Sequence, residues 1–172
     1  YSEFIAELSK NNIFRDIVNI SVSNEEKMYY EELVLRYLTL KNKGTRYSQA
    51  NIQDYMDDYL ESQCTEFDEV QMETDRVMFS NIMKILEELK DENIFKLGKR
   101  YFTTSMYDAI MLSLSDSTVD LENVNINQLG EKIVILKESE AFNKYVGSAS
   151  SNPTSITNKV KIAKKVLLDI TE

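Results

Sequence analysis

Residues Glu31–Leu40 read EELVLRYLTL, and Ile52–Leu60 read IQDYMDDYL. In the first stretch Tyr30, Leu33, Val34, Tyr37 and Leu38 recur at helical spacing, which predicts an α-helix. Leu35 and Leu40 fall off that stripe, so the helix is expected to be buried on two sides. Ser23 and Glu26 have the form of a capping box at its start, and Gly44 is placed to stop it. Glu32 and Arg36 stand four apart in the order that favours an intrahelical ion pair. The second stretch is one-sided. Ile52, Tyr55, Met56, Tyr59 and Leu60 fall at i, i+3, i+4, i+7 and i+8, with Asp54, Asp57, Asp58 and Glu61 opposite.

The remaining chain follows the same period. Phe4, Ile5 and Leu8 mark a short helix, and Ile13, Phe14, Ile17 and Val18 form a second apolar cluster after Asn11-Asn12. Thr65 with Asp68 repeats the capping-box form ahead of a long helix to about Glu92. Its inward residues are expected to be Phe67, Val70, Val77, Met78, Ile82, Ile85, Leu86 and Leu89. Residues 96–102 read as a connector around Gly98. Met106, Tyr107, Ile110, Met111 and Leu114 mark a further helix. Residues 115–124 read as a polar, acidic loop, and Ile126, Leu129, Ile133 and Leu136 give another helical stripe. Residues 147–153 are rich in Ser and Asn and carry the single Pro, the strongest linker signal. The last helix is expected to start at Pro153 or Thr154, with Ile156, Val160, Ala163, Leu167 and Ile170 on one face.

Composition agrees with an all-α fold. One Pro and four Gly in 172 residues leave long stretches without breakers. The sum is a single helical domain over residues 1–172, of about seven helices in an irregular orthogonal or bundle-like array, with a possible flexible connector at 147–153. No window supplies the roughly 18 apolar residues of a membrane span. The start carries no signal-peptide pattern, and with one Cys (Cys64) no intrachain disulfide forms. A cytoplasmic setting is expected from these features. The chain opens on Tyr1 without an initiator Met and reads as a fragment of a longer protein.

Several chemistries are excluded outright. With no His and one Cys, the chain cannot build the usual zinc site or a Ser-His or Cys-His nucleophile. It has no phosphate loop, no Gly-rich dinucleotide turn and no catalytic Ser context. The carboxylates Asp54, Asp57, Asp58 and Glu61 share a face, as the solvated side of an amphipathic helix requires, and a hard cation needs more convergent ligands. No metal, cofactor or catalytic residue is expected.

The charge is −9 and uneven, with 20 acidic and 10 basic side chains in residues 1–92 and 9 and 10 in residues 93–172. The first half therefore repels a phosphate backbone. The basic groupings singled out are Lys159, Lys161, Lys164 and Lys165 on the last helix, and Lys96, Lys99 and Arg100 beside Tyr101 and Phe102. These are the candidate nucleic-acid contacts, the aromatic pair offering a stacking surface. Ten tyrosines, with Tyr29, Tyr30, Tyr37, Tyr47, Tyr55 and Tyr59 close in sequence, are expected in the core, their hydroxyls at its rim.

Taken in order, five segments resemble the GmrSD-type, ParB-like family (DUF262). EELVLRYLTL resembles its E-L-V-L-R-F-L-A-x helix, and Tyr47 with IQDYMDDYL its F-L-x-x-Y-M helix. Upstream, FIAELSKNNIFRDIV is similar to L-x-x-N-x-x-F-R. Downstream, SMYDAIMLSLS (Ser105–Ser115) is similar to F-D-A-L-M-x-S, with Thr103-Thr104 in place of a Lys-Asn pair. The closing TNKVKIAKKVL (Thr157–Leu167) is similar to R-V-K-I-A-x-x-I-L, with Asn158-Lys159 where Arg is commoner. Arg36, Tyr37 and Asp108 are its most specific residues.

The resemblance implies a bacterial or archaeal restriction or phage-defence protein. Its N-terminal half would be a ParB-like domain with an Asp-Gly-Gln-Gln-Arg motif tied to nucleotide hydrolysis and DNA restriction. That motif is absent here, as is the His-Asn-His nuclease domain many members carry. The chain would then be a non-catalytic helical region, partnered by the missing N-terminal domain and by other subunits, with DNA a weaker partner. Arg36 and the Tyr37 face would stabilise the helical array. The alternatives from the residues themselves are a helical protein–protein adaptor with a Tyr-rich surface, or a nucleic-acid-binding module using the C-terminal lysines.

Overall fold

The helix that contains EELVLRYLTL runs through the core of the molecule. The computed structural model describes residues 1–20, 26–98, 101–147 and 149–168. Among these, α1 is Ser2–Ser9, α2 Asn12–Val18, α3 Glu26–Lys43, α4 Ile52–Thr65 and α5 Glu69–Glu88. Strands β1 (Lys96–Leu97) and β2 (Tyr101–Phe102) follow, then α6 Thr104–Leu114, a 3-10 turn at Leu121–Asn123, α7 Ile126–Glu138, α8 Glu140–Asn143 and α9 Pro153–Leu167. The fold is all-α, as the periodicity predicts; the two strands form one antiparallel hairpin pairing Lys96 with Phe102 and Leu97 with Tyr101.

Every residue from Leu33 to Leu40 is buried, so this part of α3 is covered on all sides, beyond the two that Leu35 and Leu40 predicted. It packs against α1, α4 and α6, while α5 lies against α1 and α2. The C-terminal part is organised by α9, which packs on α6, α7 and α8. Aromatic rings join the layers. Phe14 meets Tyr30, Phe79 and Tyr107, and Phe95 meets Phe102 and Tyr107. The tyrosine expectation holds for Tyr30, Tyr37, Tyr47, Tyr55 and Tyr59, all buried, with Tyr29 half-buried. A Tyr-rich docking surface is therefore not formed by these residues.

Several boundaries follow their local chemistry. Gly44 ends α3 at φ +89°, its N–H reaching the Leu40 carbonyl, as the stop signal required. Asn152 caps α9 and Pro153 occupies its first turn. Other readings are corrected. Thr65 does not open α5: it is the last residue of α4, its hydroxyl donating to Glu61 and Ser62 carbonyls. Asp68 alone caps α5, accepting from the N–H groups of Val70 and Gln71. The Ser23–Glu26 box and Ile170 lie outside the described residues.

The larger correction concerns α5. Its buried residues are Asp75, Phe79, Ile82, Met83, Ile85 and Leu86, whereas Phe67, Val70 and Val77 are 52%, 78% and 50% exposed. The helix carries two apolar stripes, and the structure covers only one.

Candidate functional site

Three elements converge on the most polar part of the interior. α3 supplies Arg36, α6 supplies Asp108 and α9 supplies Lys159, all buried. The Arg36 guanidinium donates through Nε to Asp108 Oδ1 at 2.8 Å and through Nη2 to Oδ2 at 2.6 Å. This two-pronged geometry matches a planar guanidinium to a planar carboxylate. Nη2 also donates to Ser151 Oγ at 3.3 Å. Lys159 Nζ donates to Ser105 Oγ at 2.8 Å and to the Ser150 carbonyl at 2.6 Å. The Tyr47 hydroxyl donates to the Ser151 carbonyl, and its ring stacks on Tyr55 with centroids 4.8 Å apart. The connector before α9 is thus tied to α3, α9 and the segment between α3 and α4.

The Glu32–Arg36 helix pair is not formed. Glu32 is exposed, and Arg36 turns inward to a carboxylate 72 residues away.

Two cations here face one carboxylate, and the electrostatics reflect it. Burial pushes the Lys159 ammonium down to about 8; the neighbouring Arg36 charge adds to that shift and Asp108 opposes it. Burial also works against the charge on Arg36, but the charge and hydrogen bonds of Asp108 overcome it and hold the guanidinium above its ordinary range. The Tyr107 phenol is held well above its ordinary range, first by burial and then by Asp108; it donates to the Leu33 carbonyl at 2.9 Å.

A second buried polar cluster was not anticipated. Asp75 of α5 is fully buried and accepts from Lys41 at 2.7 Å, Asn42 at 2.8 Å and Gln71 at 3.0 Å. Asn42 also donates to the Tyr59 hydroxyl, which bonds Tyr1 at 2.9 Å. Asp75 stands four before Phe79 on the buried stripe, and that position was the available signal. An ionised carboxylate inside a core needs such a set of donors.

Of the candidate nucleic-acid contacts, Lys159, Lys161, Lys164 and Lys165 stand on α9 and Lys96 on β1. Lys159 is corrected: it is 0% exposed and its ammonium is consumed internally. Lys164 pairs with Asp116 at 2.9 Å; that hydrogen bond, with those from Thr118, draws the Asp116 carboxyl down to about 2. Lys161 and Lys165 remain exposed on α9, and Lys96 is half-buried on β1. Tyr101 is 73% exposed, while Phe102 packs on Phe95, Tyr107 and Tyr29. Lys99 and Arg100 lie outside the described residues. Asp54, Asp57, Asp58 and Glu61 are all exposed, as a solvated helix face should be. Among the described residues no group of three or more potential ligands could hold a metal ion, and no helix is long and apolar enough to cross a membrane.

No known protein family, curated protein or solved structure matches this chain. Chemically, the Arg36–Asp108–Lys159 cluster fixes helices to one another. Arg36 bonds Asp108 and Ser151, and Lys159 bonds Ser105 and the Ser150 carbonyl, so the cluster holds α3, α6, α9 and the connector in one geometry.

Proposed function

We propose that this chain is a non-catalytic helical region of a GmrSD-like restriction or phage-defence protein. There it would position a nucleotide-hydrolysing domain relative to partner subunits or DNA. One observation carries the reading. Arg36, Asp108 and Lys159, which sit in three of the segments that resemble that family, meet in one buried cluster. Residues scattered over 123 positions, as Arg36 and Lys159 are, share a single scaffolding role, and the resemblance acquires a physical reason. A scaffold of this kind passes orientation through rigid helices, and α9 is pinned to α3 through the connector.

The test begins with the reading frame that encodes the chain. An Asp-Gly-Gln-Gln-Arg motif is expected upstream of Tyr1. The full-length product is expected to hydrolyse one of the four ribonucleoside triphosphates and to lower phage plating. Arg36→Met with Asp108→Leu, in full-length protein that remains folded by circular dichroism, should uncouple hydrolysis from protection. A frame lacking the motif overturns the proposal. So does triphosphate hydrolysis or DNA cleavage by residues 1–172 alone.

A further inference from the structure

The outer stripe of α5 is left unused by the buried clusters. Val70, Thr74 and Val77, with Met78 beside them, line a surface groove of about 580 Å³ whose far wall is Leu121 of the 3-10 turn. Val70 at 78% exposed and Val77 at 50% are aliphatic side chains on a regular helix face. Leaving them in water forgoes the burial that ordinarily stabilises such a stripe. From Val70 to Asn81 the groove runs about 16 Å along the helix at 1.5 Å per residue, the length of a three-turn helix.

The rim has one dominant sign. Glu69 and Glu73 line one edge, with Glu66 exposed just before them, and Asp120 and Glu122, also exposed, flank Leu121 on the other. Arg76 pairs with Glu73 and Glu7, so the net negative charge of that edge is carried by Glu66 and Glu69. Lys84 stands one turn beyond the end of the groove. An apolar floor between acidic edges selects its occupant by charge as well as shape. Nucleic acid and anionic lipid are repelled by these edges. Among the described residues a second copy is a poorer complement: the exposed Val134 and Ile135 of α7 stand between the exposed Glu131 and Glu138. Its own groove is equally acidic, and α9, the helix carrying the exposed Lys161 and Lys165, has its apolar stripe of Ile156, Val160, Ala163 and Leu167 already buried.

We infer that the α5 groove is a docking site for an amphipathic basic helix of another protein. That helix would place apolar residues at i, i+3 or i+4, and i+7 on Val70, Val77 and Met78, and Lys or Arg on its flanks against the acidic edges. This inference stands on the groove between α5 and the 3-10 turn and is independent of the family proposed above.

The test is selection from a displayed library of 14-residue helical peptides, randomised in all but helix-favouring positions. The bait is the full chain, with Val70→Asp/Val77→Asp protein as soluble competitor. Both sites are exposed, so the variant keeps its fold, which circular dichroism checks. Enriched peptides should carry an apolar stripe flanked by Lys and Arg. Their affinity should fall at least 10-fold for the valine variant and several-fold for Glu69→Gln/Glu73→Gln, with a clear loss in high salt. Failure to enrich any peptide overturns the inference, as does enrichment without basic flanks or equal binding to the valine variant. Sedimentation equilibrium supplies the other arm: self-association of the unmodified chain abolished by Val70→Asp/Val77→Asp assigns the groove to a second copy and also overturns it.

Discussion

Replacing Asp108 by Asn should cost more stability than replacing Arg36 by Met, although the two residues form one ion pair. Both side chains are almost wholly withdrawn from water, at 0% and 7% exposed. Breaking such a pair from one side leaves an uncompensated buried charge, at ~3–5 kcal/mol. The neighbourhood breaks the symmetry. Arg36→Met leaves the Asp108 carboxylate with Lys159 as a remaining cation, which places the loss near ~3 kcal/mol. Asp108→Asn leaves two buried cations and no carboxylate, which places it at ~5 kcal/mol or above. At ~2–4 °C per kcal/mol for a chain of this size, melting temperatures should fall by ~6–12 °C and ~10–20 °C respectively. Urea denaturation followed by circular dichroism at pH 7 gives the free energies directly. The triple variant Arg36→Met/Asp108→Leu/Lys159→Met removes the whole charged set and should recover more than half of the Asp108→Asn loss. If Arg36→Met proves as costly as Asp108→Asn, or either costs less than ~1 kcal/mol, the account of one carboxylate serving two cations is wrong.

Three further outcomes test other parts of the structure. Lys159 has a folded pKa near 8, below its ordinary 10.5, so the unfolded chain holds the proton over a window where the folded chain has released it. Stability relative to Lys159→Met should therefore rise with pH by ~1.4 kcal/mol per unit between about pH 8 and 10, and stay flat below; chemical denaturation at stepped pH reads the slope. Asp116 has its carboxyl lowered to about 2, so its favourable interaction with Lys164 and Thr118 is present above the unfolded value and lost as pH falls through about 2. Carboxyl NMR should find that midpoint, and Lys164→Ala should move it upward. Gly44→Ala should cost ~1 kcal/mol through its φ of +89° alone, since nothing stands within 4 Å of an added Cβ; a loss above ~3 kcal/mol in urea denaturation would mean the α3 stop does more than turn the chain.

What could be read from the sequence was whatever depends on near neighbours. α4 has a single apolar face, so its stripe fixed both its helix and its burial. Pro153 marked the start of α9 because its fixed φ and missing N–H suit a first helical turn. The two stripes of α5 defeated the same reasoning: periodicity identifies an apolar face but not whether another element lies over it, and both of these have the right spacing. Arg36 was assigned to Glu32 because four residues along a helix is the shortest route to a countercharge, whereas its partner lies 72 residues away. Lys159 stands three after Ile156 and four before Ala163, inside the buried stripe. That position outweighed its membership in a run of lysines, and spacing alone could have shown it. Asp75 carried the same signal before Phe79.

The separation of Arg36 from its carboxylate also sets a schedule for biosynthesis. At ~5–20 residues per second, the 72 positions between them take roughly 4–15 s to translate. Throughout that interval α3 has been made but its guanidinium has no anion to meet, and the face of α3 that α6 covers stays open to water. The Lys159 end of the cluster arrives later still. The charged cluster is therefore expected to close only once α6 and α9 have emerged, as the last part of the core to form.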